Sequence, residues 1–188
     1  MNRFFALLFR LAGWKVKGTL PPNPTGCIIA AAPHSSNWDF FIGLGVRGTL
    51  KFNASYLGKQ ELFRFPYGWM FRRLGGIPVN RSMRSDLVQQ VSEWYRNKPD
   101  TILALAPEGT RKPGGVWKTG FYHMALQCGV PIVFCSIDYP SKQVTLHAPF
   151  TPSGDYSADV PKMMSYFNGS MGKHRGILPM LPGIEKNT

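Results

Sequence analysis

Along the chain, apolar residues alternate between short continuous runs and helical repeats. Residues 26–32 form an unbroken apolar stretch of buried-strand length, and 37–48 follow with a helical pattern capped near Ser36 or Asn37. Phe52–Leu57 reads as a strand. Glu61 to Leu74 reads as mostly helix, interrupted at Pro66 and ended by Gly75-Gly76, before a short strand at Ile77–Val79. The spacing of Leu87, Val88, Val91, Trp94 and Tyr95 predicts a helix over Ser85–Asn97, with Ser85 as its cap. Thr101–Ala106 has the pattern of a core strand, Thr119–Cys128 that of a helix closed by Gly129, and Pro131–Ile137 that of another strand. Val144–His147 adds one more strand, and a weak helix follows Ser157. This alternation predicts one α/β domain, with a mostly parallel central sheet flanked by helices.

The first twenty residues stand apart. Met1, Phe4, Phe5, Leu8, Leu11 and Ala12 share one side of a helical wheel, with Arg3 and Arg10 opposite. Such an amphipathic helix either lies in a membrane interface or packs its stripe on the domain. Trp14, Lys15 and Lys17 favour the membrane, because aromatic and basic side chains suit the headgroup layer. Pro21, Pro22 and Pro24 then break the chain, so 1–20 is expected as an anchor and 21–188 as the main domain. No run reaches the ~18–20 apolar residues of a membrane span. The apolar run from Phe4 to Phe9 is also too short for a secretory leader, and no cleavage site follows it.

Composition narrows the partners. Of 188 residues, 22 are Lys or Arg against 10 Asp or Glu, a net charge of +12. A surface this basic attracts nucleic acid, anionic lipid or phosphorylated small molecules. Arg64, Arg72, Arg73, Arg81 and Arg84 are interleaved with Phe63, Phe65, Tyr67, Trp69, Met70 and Phe71, a mixture suited to an anionic bilayer. No zinc-finger spacing, aromatic RNA-binding signature or Gly-x-x-Gly clamp accompanies them, so nucleic acid is not an expected partner. The three cysteines lack metal-ligand and redox spacing and read as buried structural thiols, and no metal site is expected.

Candidate chemistry begins in the run Pro33-His34-Ser35-Ser36-Asn37-Trp38-Asp39. Five positions is the wrong spacing for two side chains on one helical face. It suits a histidine on a loop and an acid in the first turn of the next helix, which can fold back and fix the imidazole tautomer. That is how a base that deprotonates a hydroxyl is built. No Gly-x-Ser-x-Gly elbow occurs to make Ser35 or Ser36 a nucleophile. A second segment, Ala106-Pro107-Glu108-Gly109-Thr110-Arg111, directly follows a strand. There a glycine, a hydroxyl and a guanidinium make a pocket for an anion. Gly75-Gly76-Ile77-Pro78-Val79-Asn80-Arg81 delivers another arginine at a strand's end, and Val130-Pro131-Ile132-Val133 is a helix-to-strand junction.

The order and combination of these four segments resemble the glycerolipid acyltransferase superfamily, whose best-known members are the lysophosphatidic acid acyltransferases. Leu57-Gly58-Lys59-Gln60-Glu61-Leu62-Phe63 and Trp117-Lys118-Thr119-Gly120-Phe121 also look like that family, and the chain looks like a short bacterial-type member. The resemblance implies transfer of a fatty acyl group from acyl-CoA or acyl carrier protein to the hydroxyl of a lysophospholipid. The first acceptor it suggests is 1-acylglycerol-3-phosphate, giving phosphatidic acid. It implies no cofactor, and the amphipathic N-terminus and the basic face would hold the enzyme peripherally at the cytoplasmic face of an anionic membrane. His34 would be the general base and Asp39 its orienting acid. Arg81, Gly109, Thr110 and Arg111 would hold the acceptor's phosphate, Glu108 would orient that loop, and Pro131 would shape the acyl side. Pro33 replaces a frequent Asn, Ala106 a Phe, and Asn80 an acid. The last two lie on the acceptor side and leave open a different acceptor, such as a lyso-ornithine lipid or another lysophospholipid. A non-catalytic basic membrane-binding protein is the reading from outside the enzymes.

Overall fold

A computed structural model describes residues 2–20, 26–79, 84–109 and 117–174. Its elements are α1 (Asn2–Leu11), β1 (Lys15–Lys17), β2 (Cys27–Ala32), α2 (Trp38–Leu50), β3 (Ser55–Lys59), a 3-10 turn (Gln60–Phe63) and α3 (Gly68–Arg73). They continue as β4 (Gly76–Val79), α4 (Arg84–Asn97), β5 (Ile102–Leu105), α5 (Gly120–Cys128), β6 (Ile132–Asp138), β7 (Gln143–Leu146) and α6 (Tyr156–Ser165). The expected α/β class holds, and most elements fall within a residue or two of the hydrophobic pattern. Three differ. The strand expected from Phe52 begins only at Ser55, because Phe52 and Ala54 pack on the core as a connector without joining the ladder. The stretch 61–74 splits into the 3-10 turn and α3 around Pro66, which cannot donate the backbone hydrogen bond that a continuous helix needs. The three-residue β1 has too few residues to show any periodicity.

The seven strands lie in the order β1-β7-β6-β2-β5-β3-β4. β2 occupies the centre, parallel to both neighbours, with Ile28 level with Leu103 on β5 and with Ile132 on β6. β3 and β4 extend the parallel set, while β7 runs antiparallel to β6. A central parallel strand is covered on both faces, which is why 27–32 reads as an unbroken apolar run. On one face Ile28 and Ala30 meet Tyr122, Phe134, Met163 and Phe167; on the other Cys27 and Ile29 meet Phe9, Ile42 and Val46. Each Ile, Val, Phe or Met among them, fully buried, contributes about 1.5–3 kcal/mol relative to exposure.

α1 packs against α2 through Ala6 and Phe9, which are buried. Gly45 makes this approach possible, since a Cβ there would meet Phe9 Cβ at 2.6 Å. Phe4, Leu8 and Leu11 of the wheel's apolar stripe stay exposed, as does Leu7. The helix therefore packs on the domain with a face other than its stripe. β1 joins the sheet edge beside β7, so the chain up to Lys17 is part of the same body. Pro21, Pro22 and Pro24 lie outside the described residues. No helix among the described residues is long and apolar enough to cross a membrane.

Candidate active site

All four inner parallel strands, β6, β2, β5 and β3, end at the same edge of the sheet, where open α/β sheets bind their ligands. β2 delivers His34 there, two residues past its end, and α2 starts at Trp38 with Asp39 in its first turn. His34 Nδ1 lies 3.0 Å from Asp39 Oδ2, with the imidazole 21% exposed and the carboxylate 2%. The loop-then-helix geometry expected from the five-residue spacing is thus the geometry found. Asp39 Oδ2 also accepts the backbone N–H groups of Ser35 (2.9 Å) and Ser36 (2.8 Å), and Oδ1 accepts the Tyr139 hydroxyl. Ser36 Oγ accepts the Trp38 N–H at 3.2 Å, so Ser36 and not Asn37 caps the turn.

These contacts set the charge state. Burial pushes the Asp39 carboxyl up, but hydrogen bonds from His34, Tyr139 and Ser36, with the charge of His34, outweigh it and hold the group below its ordinary value. An ionised Asp39 favours the proton on Nδ1 and leaves Nε2 as the unprotonated nitrogen.

Glu108, only 2% exposed, follows β5 and reaches sideways. Both its oxygens accept the backbone N–H of His34, each at 3.0 Å. The sequence predicts that it orients its own loop, and in the structure it also holds the histidine's main chain. Burial raises its carboxyl above the ordinary value; the His34 N–H and charge offset this only in part, and the charge of Asp39 adds to it. Gly109 takes φ +60°, and its N–H donates to Ala106 O at 3.1 Å, closing a turn that no Cβ-bearing residue adopts easily. Lys118 lies against that turn, with Nζ 2.9 Å from where a Gly109 Cβ would stand.

Arg81, Thr110 and Arg111 lie outside the described residues. Pro131 is not brought to the site. Its carbonyl accepts the Ile28 N–H at 3.0 Å, at the opposite end of β2 from His34. At about 3.3 Å per residue, that is roughly the whole length of the strand away.

Two contributors escaped sequence reasoning. Tyr139 follows β6, and its ring meets the Trp14 edge at 5.0 Å and 89°. The segment around Gly172 crosses the loop: Lys173 N–H donates to Ser35 Oγ at 2.8 Å, and Lys173 Nζ stands 5.2 Å from the Trp38 ring centroid. The serines thus serve as hydrogen-bond acceptors in the loop. Cys27 and Cys135 are buried free thiols, pushed up by burial to about 11 and about 12, which keeps them protonated and inert at neutral pH. Among the described residues, no group of three or more His, Cys, Asp or Glu side chains is placed to hold a metal ion.

A family model described as Acyltransferase matches residues 15–138. The chain is 29% identical over 139 residues to a 1-acyl-sn-glycerol-3-phosphate acyltransferase of Haemophilus influenzae, covering 70% of this chain and 57% of that protein. It is 27% identical over 154 residues to the Escherichia coli protein of the same name, covering 78% and 62%. The chain therefore spans less than two thirds of the length of either relative. Its fold is similar to the crystal structure of the 1-acyl-sn-glycerophosphate (LPA) acyltransferase PlsC from Thermotoga maritima. The TM-score is 0.62 at 21% identity, over 88% of this chain and 74% of that one.

Proposed function

The chain belongs to the acyltransferase family, and from that premise we propose that it moves a fatty acyl group from a thioester to the hydroxyl of a lysophospholipid, 1-acylglycerol-3-phosphate first. The observation that carries the reading is the 3.0 Å contact between His34 Nδ1 and Asp39 Oδ2, made by a carboxylate whose other contacts come from Tyr139 and the loop. His34 Nε2 accepts the acceptor hydroxyl's proton as that oxygen attacks the thioester carbonyl. Asp39 stabilises the imidazolium. When the tetrahedral adduct collapses, the C–S bond breaks and the imidazolium returns its proton to the leaving thiolate. No acyl-enzyme is needed, because a thioester is already activated. A base so placed is typically worth ~10²–10⁴-fold in rate.

Glu108 acts as a positioning residue through the His34 backbone. Arg81, Thr110 and Arg111, with Gly109, are assigned to the acceptor's phosphate on the strength of their motifs. Lys118 adds positive charge beside Gly109, and Lys173 adds it beside Trp38 at the His34 loop. The donor is acyl-CoA or acyl carrier protein, and no cofactor takes part. The exposed stripe of α1 and the net charge of +12 support a peripheral position on the cytoplasmic face of an anionic membrane. Ala106 stands where the family has a Phe, which favours as a second reading the same chemistry on another lysophospholipid or a lyso-ornithine lipid.

The test is purified protein with acyl-CoA or acylated carrier protein against a panel of lyso-acceptors. Free thiol and a diacyl product are expected with lysophosphatidic acid. Thiol release with another acceptor alone selects the second reading, and no release with any acceptor contradicts both.

A further inference from the structure

The 3-10 turn and α3 form a lobe that turns most of its aromatic residues outward. Phe63 goes inward, its ring held between β3 and β4 against Gly58 and Gly76, and the half-buried Phe71 packs on it edge-to-face, 6.3 Å between centroids. A Cβ at either glycine would stand 2.7 or 2.8 Å from a ring carbon. The Arg72 guanidinium covers the same ring, 5.3 Å from its centroid. With Phe63 committed to that slot, its neighbours face solvent: Phe65 is 97% exposed, Trp69 67% and Tyr67 65%, with Leu62 and Met70 beside them. Scattered exposed apolar residues need no explanation, but five within nine positions form a patch.

Both the location and the charge of the patch indicate what covers it. The turn follows Lys59, the last residue of β3. Because β3, β5 and β2 are parallel in register, the patch begins at the end of the sheet where His34 stands, and α3 then leads the chain back to Gly76, level with Tyr56. Arg64, Arg72 and Arg73 are exposed around the aromatics, and Glu61 is the only carboxylate in residues 60–73. Trp, Tyr and Phe ringed by arginine match the interface of an anionic bilayer, where the rings sit at headgroup depth and the guanidinium groups meet lipid phosphates.

We infer that residues 62–70 are a second bilayer-docking element, separate from α1, which holds the His34 end of the sheet against an anionic membrane surface. The inference rests on the acyltransferase reading only for the use of that orientation, namely that an acceptor lipid reaches His34 without leaving the bilayer.

Co-sedimentation with extruded phosphatidylglycerol–phosphatidylethanolamine vesicles tests it, comparing the full chain with Phe65→Ser/Trp69→Ser. Partitioning is expected to fall about tenfold or more. Acyl transfer to a short-chain lysophosphatidic acid below its micelle concentration is expected to stay within about twofold, as neither residue touches the His34 site. On wild-type protein, hydrogen exchange across 62–70 is expected to slow when vesicles are added. Because Phe65 is almost wholly exposed, Phe65→Ser alone serves if the double variant is unfolded, with a fall of about threefold expected. Unchanged partitioning in a folded variant, or unchanged exchange in wild type, overturns the inference. So does a wild-type dimer that the substitution dissociates, because the patch would then be a contact between copies. Vesicle-dependent protection without transfer to the soluble acceptor upholds the docking element and counts against the acyltransferase reading instead.

Discussion

Two buried carboxylates flank His34, and the protein treats them oppositely. Asp39, in the loop from β2 to α2, receives the imidazole, a phenol and two backbone N–H groups, and is held below its ordinary value. Glu108, after β5, receives the N–H of one residue and is pushed above its ordinary value. Burial raises both groups, so it does not distinguish them. Among the described residues the donors do: an imidazole, a phenol and two N–H groups for Asp39, against one N–H for Glu108. One carboxylate is built to stay charged beside a ring that gains a proton; the other is built to hold a backbone in place, a task that does not require full ionisation.

Breaking the first carboxylate should have the largest effect. Asp39→Ala is expected to lower kcat by ~10²–10⁴-fold with the thioester and lysophosphatidic acid, read in a thiol-release assay. Removing only the phenol comes next. Tyr139→Phe keeps the ring against Trp14 and deletes one donor to a charged group, worth about 1.5–3 kcal/mol. A kcat loss of roughly tenfold with KM unchanged is expected, and a loss seen in KM alone would place Tyr139 in substrate binding instead. Glu108→Gln retains one carbonyl acceptor for the His34 N–H, so only a few-fold loss of kcat is expected.

The smallest effect separates the two groups most cleanly, through the pH dependence of stability. Asp39's value falls on folding. Its contribution is therefore complete above the ordinary carboxylate value, about 3.9, and is lost as pH falls through the lower folded value. The destabilisation caused by Asp39→Asn should shrink in acid. Glu108's value rises on folding, so its ionised form opposes folding above that raised value, and the penalty vanishes below about 4.3. Glu108→Gln should gain stability relative to wild type as pH rises from there toward neutrality. Urea denaturation across this range would detect it, and parallel trends for the two variants would contradict the comparison.

Most of this architecture was legible in the residue pattern. An unbroken apolar run marked the doubly covered β2, and a five-residue interval marked a loop histidine with a first-turn acid. Tyr139 was not legible, because it meets Asp39 across a separation of 100 residues. Only the parallel register of β6 with β2, which places Ser136 level with Ala32, carries it there. The path of the tail over Ser35 is likewise a tertiary choice that no periodicity encodes. In α1, the wheel identified an apolar stripe correctly but not the face that packs, because Gly45 on another helix makes room for Phe9. Glu108 illustrates the same limit: its place after a strand was readable, whereas its target on the neighbouring loop follows from β2 and β5 lying side by side.

Which nitrogen of His34 carries the proton is decisive, and long-range nitrogen–proton NMR on labelled protein reads it at a pH where the ring is neutral. A proton on Nδ1, held toward Asp39, is expected, with Nε2 bare and free to accept the acceptor's hydroxyl proton. A neutral His34 protonated on Nε2 would contradict it, because the nitrogen assigned as the base would already be occupied.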